Sequence, residues 1–418
     1  MTAAALSQRT FCVTNVFWGS AFREGFLRHC LPSLLWPQNL AALKRTARNV
    51  LLLVTTKEDW DVIADHPAMT VARTHYEVRH LLLGEGKDKF ARCGEGYRAA
   101  ADWTAAQDAL ALHLSPDLLI SDGTLGALHD LQEEGAAVVV IPAWRTAEEP
   151  FEAALSADEA AGRTPMSGAR LAALCADAVH DFERDRYWDG ATYRDDVGAL
   201  WWHVPGARGW LMHITSGVPY VDHMRISGHD PSALGKLPFD AYHGMFKPSG
   251  GAVRMAGDSD RIFVASFTPA REALGLPRHT RWQYRLPLLG PLARGLALRS
   301  QVRTVLARGR HEVGMRGLMQ PFRVHPDPLT PAWADVERRA ARAIARYVGD
   351  MLPADIRPAA APSRLGGMAL DLLTLLLLPS LALGRLGRRA ANAAAVLRDA
   401  ARGDAAARGM IRRRLRGA

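Results

Sequence analysis

Short apolar runs separated by polar, helix-compatible stretches dominate the first third of the chain. Thr10-Phe-Cys-Val-Thr-Asn-Val-Phe17 is β-prone, and Val50-Leu-Leu-Leu-Val54 has the pattern of a fully buried strand. Thr55-Thr56 and the acidic opening of KEDWDVIADH supply the acceptors that free helical N–H groups need, so a helix follows. The pattern predicts a further strand over 70–83 and a long helix over 90–113. It then predicts a strand at Asp117-Leu-Leu-Ile120 closed by Ser121-Asp122-Gly123, a helix over 124–134 and a strand over 136–141. Strands alternating with helices in this way predict an α/β fold over about residues 8–145, a mostly parallel sheet flanked by helices. Ligands of such sheets bind beyond the carboxyl ends of the strands. That rule nominates Thr14 to Trp18, Thr55-Thr56, Ser121 to Gly123 and Ala143 to Arg145 as rim residues.

The pattern is helical from 150 to 186. A Trp- and His-rich region runs from Tyr187 to His243, and a turn-rich, hairpin-like passage reaches Phe267. A basic Leu/Arg region begins near Pro269, followed by a helix in ADVERRAARAIARYVGDM, a Pro/Ala linker over 353–362 and a tail. We divide the chain into an α/β nucleotide-binding-like layer (1–150), a helical and Trp/His-rich acceptor region completing that domain (151–270), a basic helical region (271–365) and a Leu-rich then Arg-rich tail (366–418). At roughly 150 residues per domain, the 418 residues fit two domains or one large domain with extensions. There is no internal repeat.

Composition changes little: 48% hydrophobic and 23% charged residues exclude a disordered, collagen-like or coiled-coil chain. The net charge of +9 matters more, because it is uneven. Residues 271–316 hold ten Arg against two Glu, and 381–418 hold ten Arg against two Asp, which leaves the remainder acidic. Both segments are leucine-rich. Neither the aromatic interleaving nor the helix motif of a nucleic-acid reader is present, so no nucleic-acid partner is expected. Leucine with arginine fits an interfacial helix on an anionic membrane surface. The apolar run over 372–384 is about 13 residues against roughly 20 for a spanning helix, and it contains Pro379. It is therefore expected to lie on a membrane; the alternative is a buried helix followed by a solvated Ala/Arg helix. Cys12, Cys30, Cys93 and Cys175 form no CxxC and no disulfide framework, and the N-terminus lacks a secretory pattern. The expected location is cytoplasmic, peripheral on the inner face of the plasma membrane.

Neither GxGxxG nor GxxxxGK[ST] occurs, which argues against a P-loop enzyme and weakens the case for a dinucleotide. Asp122, at a strand end before Gly, suits a divalent cation that carries a nucleotide diphosphate, or else a helix cap. Asp258-Ser-Asp260 is a DxD triplet able to share Mg²⁺ or Mn²⁺, or a plain turn; the same spacing recurs at Asp59-Trp-Asp61. Asp222-His223 and His229-Asp230 pair acids with imidazoles among His203, His213, His223, His229 and His243. These suit general acid/base work, a metal, or structural roles; HExxH is absent. Trp188, Trp201, Trp202 and Trp210 offer flat faces for a sugar or for a core. Arg145, just past a strand end, is a fork for a phosphate.

Three stretches carry a resemblance: VFWGSAFREGFLRHCLPSLLWPQNLAAL, LLLVTTKEDWDVIADHPAM and LSPDLLISDGTLGALHDLQEEGAAVVVIPAWR. Their order resembles a group of uncharacterised bacterial glycosyltransferase-like proteins, over residues 11–155 and more faintly to 270 through ITSGVPYVDH and GDSDRIFVASF. The resemblance implies a GT-A-like fold and a transferase that takes a nucleotide-sugar donor with Mn²⁺ or Mg²⁺. Asp122 would then stand near the nucleotide and metal, with Asp222 and Asp258 as further site carboxylates; here the strand-end motif is SDG where DxD is usual. The expected reaction moves a sugar to a cell-envelope glycan or lipid-linked acceptor. Thr14, Thr55, Asp122 and Arg145 would hold the donor, Trp201 and Trp202 face the acceptor, and Asp222 or His223 act as base. The alternatives are a membrane-associated adaptor without catalysis, and a metal-dependent hydrolase built on His203, His223 and His229.

Overall fold

The computed structural model describes residues 5–85, 89–184, 186–190, 199–215, 217–230, 245–249, 252–271, 284, 286, 289–307 and 312–378. The arginine-rich end of the tail and His243 lie outside the described residues. In chain order the strands are β1 (Thr10–Val16), β2 (Arg48–Thr55), β3 (Glu77–Leu82), β4 (Leu110–Leu114), β5 (Leu118–Ile120), β6 (Ala136–Ile141), β7 (Ala143–Ala147), β8 (Ala199–His203), β9 (Trp210–Ile214), β10 (Val218–Asp222), β11 (Ile226–His229), β12 (Phe246–Pro248), β13 (Ala252–Met255), β14 (Val264–Thr268) and β15 (Phe322–Val324).

Seven of them form the central sheet in the order β13-β6-β10-β4-β1-β2-β3. β10 alone runs against its neighbours, with Val218 opposite Ile141 and Asp222 opposite Leu110. The protein is thus α/β, with a mostly parallel sheet flanked by helices. The long runs of Val and Leu are the reason: β4 and β6 are buried at every position, as a sheet covered on both faces requires.

Two elements differ from the sequence expectation. Over 70–83 the strand is confined to Glu77–Leu82, because Pro67 opens a helix over Pro67–Arg73 whose Ala68 N–H donates to the His66 ring. Over 90–113 the helix ends at Ala106. Asp108 then turns with φ +48°, and β4 begins at Leu110. A strand hidden inside an expected helix moves one carboxyl end of the sheet to Ser115-Pro-Asp117.

Three small sheets accompany the main one among the described residues, the smallest pairing β11 with β12. β14 lies between β5 and β7, and β9 lies between β8 and β15. β8 and β9 form an antiparallel pair whose alternating side chains join two cores. Trp201 and Met212 belong to the core of the main sheet, whereas Leu200, Trp202 and Leu211 belong to a second core.

The second core is built by helices Leu289–Ala307, Pro331–Val348 and Arg364–Leu377. The first of these comes from a Leu/Arg segment expected at a membrane, yet Leu296, Leu298, Arg299 and Val302 are all buried. Its hub is Arg299, 1% exposed, which donates to Asp350 (2.6 and 2.9 Å), to Asp371 (2.9 Å) and to the Tyr347 and Gly367 carbonyls. Gly295 faces the Tyr347 ring with no room for a Cβ, which lets the two helices approach closely. This arginine is a tie between helices and not a headgroup ligand. No helix among the described residues is long and apolar enough to cross a membrane.

Candidate functional site

The carboxyl ends of β1 and β4, the amino end of β10 and the start of β7 surround a pocket of about 240 Å³. It sits at the sheet edge that the crevice rule selects. β1 runs out into Val16, Phe17 and Trp18; the turn after β4 adds Ser115, Pro116 and Asp117; β7 contributes Ala143 and Arg145; and Trp201 and Met212 close the side facing the β8–β9 pair.

The loop after β1 is held in place by a buried carboxylate. Asp59 accepts from the Gly19 N–H (2.8 Å), the Thr56 hydroxyl (2.8 Å) and Arg23 (2.9 Å). Gly19 has φ +86°, a conformation that a side chain would strain. Trp18 is thereby fixed at the mouth, and the Arg92 guanidinium stands 5.1 Å from its ring centroid.

Charge is concentrated in four side chains. Glu183, 1% exposed, accepts from Arg186 Nη1 at 2.9 Å. The Arg186 guanidinium lies 4.1 Å from the Phe182 centroid and 5.5 Å from that of Trp201. Arg145 is half-buried, 5.3 Å from the Phe182 centroid, with a long 3.5 Å contact to the Thr268 hydroxyl. Asp117 is half-buried and accepts from the Ser115 and Ser266 hydroxyls.

Two donors at this pocket have no acceptor: Arg186 Nε and Trp201 Nε1 are buried and unbonded. A buried N–H without a partner costs about 1–3 kcal/mol, and both of these stand on residues that line the pocket. Paired arginine forks with aromatic walls can take a phosphate and a flat ring.

Of the rim residues nominated from sequence, Val16, Phe17, Trp18, Ala143 and Arg145 line this pocket, and Trp201 joins them; of the residues given a named role, Arg145 and Trp201 do. Thr14 lies inside β1, fully buried, with its hydroxyl 2.8 Å from His113 Nδ1. Thr55 closes β2, buried and outside the pocket lining. Trp202 faces the second core, as strand alternation demands. Asp122 accepts from the Gln38 (2.9 Å) and Asn39 (3.1 Å) N–H groups at the start of helix Pro37–Ala42, and Asn39 Oδ1 accepts in return from the Gly123 and Leu125 N–H groups. It is a cap, though of a preceding helix rather than the following one.

Asp258 accepts from the Asp260 and Arg261 N–H groups and makes a turn; the Asp260 carboxylate is exposed, 3.9 Å from His325 Nε2. Among the described residues, no group of three or more His, Cys, Asp or Glu is placed to hold a metal ion.

Asp222 and His223 stand at the opposite edge of the sheet, because β10 is antiparallel and carries them away from the pocket. Asp222, 1% exposed, pairs with Arg9 at 2.6 Å and also accepts from Gln132 Nε2 (2.9 Å) and the Met224 N–H (3.0 Å). His223 Nε2 lies 3.0 Å from the Thr104 hydroxyl, and burial pushes its pKa down to about 4. Neither lines the pocket. His203 is bonded to Asp189 through Nδ1 and His229 to Asp102 through Nε2.

Sequence reasoning missed Asp117 and Arg186. Asp117 was assigned to the start of a strand because β4 was hidden in a helix, although Leu110-Ala-Leu-His-Leu114 followed by Pro116 carries the signal of a strand end. Arg186 lay at the end of an expected helical stretch with nothing in its spacing to mark it.

The fold and this pocket define an α/β protein with an arginine-bearing, aromatic-walled crevice at the carboxyl edge of a mostly parallel sheet. No family model matches the chain, and no curated protein is similar to it. Among solved structures, one from Bacillus anthracis, provisionally named a glucose-1-phosphate thymidylyltransferase and holding a sucrose, aligns at 12% identity with a TM-score of 0.24. The alignment covers 34% of this chain and 57% of that one, a likeness too slight to carry an argument.

Proposed function

We propose that the protein is a nucleotide-sugar-dependent glycosyltransferase with a GT-A-like fold, working at the inner face of the plasma membrane. What carries the reading is the pair of buried, unbonded donors, Arg186 Nε and Trp201 Nε1, beside Arg145 at the carboxyl edge of the sheet. Arg145 and Arg186 bind the donor diphosphate and neutralise charge that grows on it as the sugar leaves. Trp18 and Phe17 offer ring faces to the base or the sugar. A volume of about 240 Å³ suits one part of the donor, the rest lying along the rim.

Mn²⁺ or Mg²⁺ arriving with a nucleotide needs only one or two protein carboxylates, the phosphates supplying other ligands. Asp117 is the carboxylate available to it at this pocket. When bound, such a cation supplies positive charge to the leaving diphosphate; Asp117 holds it, and the Ser115 and Ser266 hydroxyls orient Asp117. The acceptor we propose is a cell-envelope glycan or a lipid-linked glycan.

The test is thermal stability against UDP-, GDP-, CMP- and dTDP-sugars, with and without Mn²⁺. A ligand of the folded state adds about 2.7 kcal/mol of stability at a hundred times its Kd. One nucleotide class is expected to raise the melting temperature in the wild type and not in Arg186→Gln. No shift with any of them on folded protein overturns the reading and favours a non-catalytic adaptor.

A further inference from the structure

The helix Arg364–Leu377 is apolar on its outer side as well as toward the body. Its inward face carries Gly367, Asp371 and Thr374 beside Leu370 and Leu377, which pack against the second core. Gly367 and Thr374 are buried, and Asp371 is bound by Arg299 and Arg303. Its outward face carries Leu365, Met368, Leu372, Leu373, Leu375 and Leu376, with Leu365 77% and Leu376 65% exposed. A helix at a water surface keeps its outer face polar, so an outer face made of these six side chains asks for an apolar phase outside. Fourteen residues at 1.5 Å each make the face about 21 Å long. Single exposed apolar side chains are ordinary; five leucines and a methionine on one helix are not.

We infer that this face is a docking surface for an anionic lipid bilayer, the leucines entering the acyl boundary while arginines meet the headgroups. Charge complementarity chooses lipid over a second protein copy. The sequence directly after the helix, 381–418, holds ten Arg and two Asp, and Arg364 opens the helix itself. Arg299 and Arg303 fix the orientation, since their bonds to Asp371 keep that side of the helix against the body. The inference deepens the proposed function and rests on its membrane-side reading, giving that enzyme a point of attachment.

The full-length protein is to be sedimented with phosphatidylcholine vesicles and with phosphatidylcholine/phosphatidylglycerol vesicles. The wild type is expected to pellet with the mixed vesicles. Leu372→Gln/Leu376→Gln is expected to lose about tenfold or more in partitioning, since each buried methylene contributes ~0.8 kcal/mol and 1.4 kcal/mol is tenfold. Arg412→Gln/Arg413→Gln/Arg414→Gln is expected to lose binding to the mixed vesicles selectively. Hydrogen exchange of 364–377 in the wild type gives a readout free of mutation, with vesicles slowing it. Wild type left in the supernatant, unchanged exchange, or a leucine variant that binds as well as wild type overturns the inference. So does wild-type self-association abolished by the leucine substitutions, which would make the face a contact between copies. Nucleotide-sugar melting shifts, measured on the same samples without lipid, report separately on the pocket.

Discussion

The two edges of the central sheet both bury charged groups, and they differ in whether the protein itself satisfies them. At the amino edge the charged Asp222 has Arg9, Gln132 and the Met224 N–H around it, while His223 meets Thr104 through Nε2 and has no partner at Nδ1. At the carboxyl edge Arg186 and Trp201 keep buried N–H groups that nothing in the protein accepts. A complete set of partners marks a structural network, whereas missing acceptors beside a cavity mark a place for a ligand. Residue type alone does not separate the two, which is why an acid beside an imidazole was the stronger candidate in the sequence and the weaker one in the fold.

The comparison breaks most sharply at Asp222. Asp222→Ala strands the Arg9 guanidinium, 4% exposed, and is expected to cost about 3–5 kcal/mol in urea unfolding. The nucleotide-sugar affinity of the folded fraction should stay within a factor of about two, a change below ~0.5 kcal/mol. A large loss of affinity with intact stability would return Asp222 to the site. Arg145→Gln is the mirror experiment. Its side chain makes a long contact to Thr268 and stands over the Phe182 ring, so stability should change by about 1 kcal/mol or less. Loss of a charge-assisted bond to the donor should weaken binding by ~1.5–3 kcal/mol, roughly tenfold to a hundredfold, read by titration calorimetry.

A smaller step comes from pH. Burial holds His223, His129 and His213 at pKa values of about 4 in the folded protein, below the ordinary value of 6.5. Between those values the unfolded chain binds more protons, so stability rises with pH there and is lost as pH falls from 6.5 toward 4. The slope is about 1.4 kcal/mol per pH unit for each such histidine. Urea midpoints from pH 4 to 7 should show it, and His223→Gln should flatten it in part.

Much of the sheet was legible because fully buried parallel strands leave unbroken apolar runs, as in Val50 to Val54 and Ala136 to Ile141. β4 escaped because the stretch leading into it, Phe90 to Ala106, is a good helix former and no Gly or Pro separates them. That one slip concealed Asp117. The direction of β10 was illegible for a different reason: periodicity is the same for a strand run either way, and the direction alone sends Asp222 and His223 to the far edge. Arg145 and Trp201 were found because one rule concerns strand ends and the other flat aromatic surface, both of which survive errors of topology. Arg186 owes its position to the fold of 181–190 against β8, a contact that no spacing announces.

Asp122 carries the smallest expected effect and the clearest contrast with the sequence reading. As a strand-end carboxylate it is expected from sequence to serve the nucleotide and its metal, but its Oδ1 accepts from both the Gln38 and Asn39 N–H groups. Those are among the free donors at the start of helix Pro37–Ala42, whose own preceding residue, Trp36, gives no side-chain cap. Asp122→Ala should therefore cost about 1 kcal/mol of stability, the usual loss for a cap. Asp122→Asn, which keeps an acceptor oxygen, should recover most of it. Neither variant should move the Mn²⁺ dependence of nucleotide-sugar binding, whereas Asp117→Asn should. If Asp122→Asn abolished that dependence while leaving stability unchanged, the carboxylate would belong to the donor site, and the distinction between satisfied and unsatisfied edges would fail at the residue where sequence and structure disagree most.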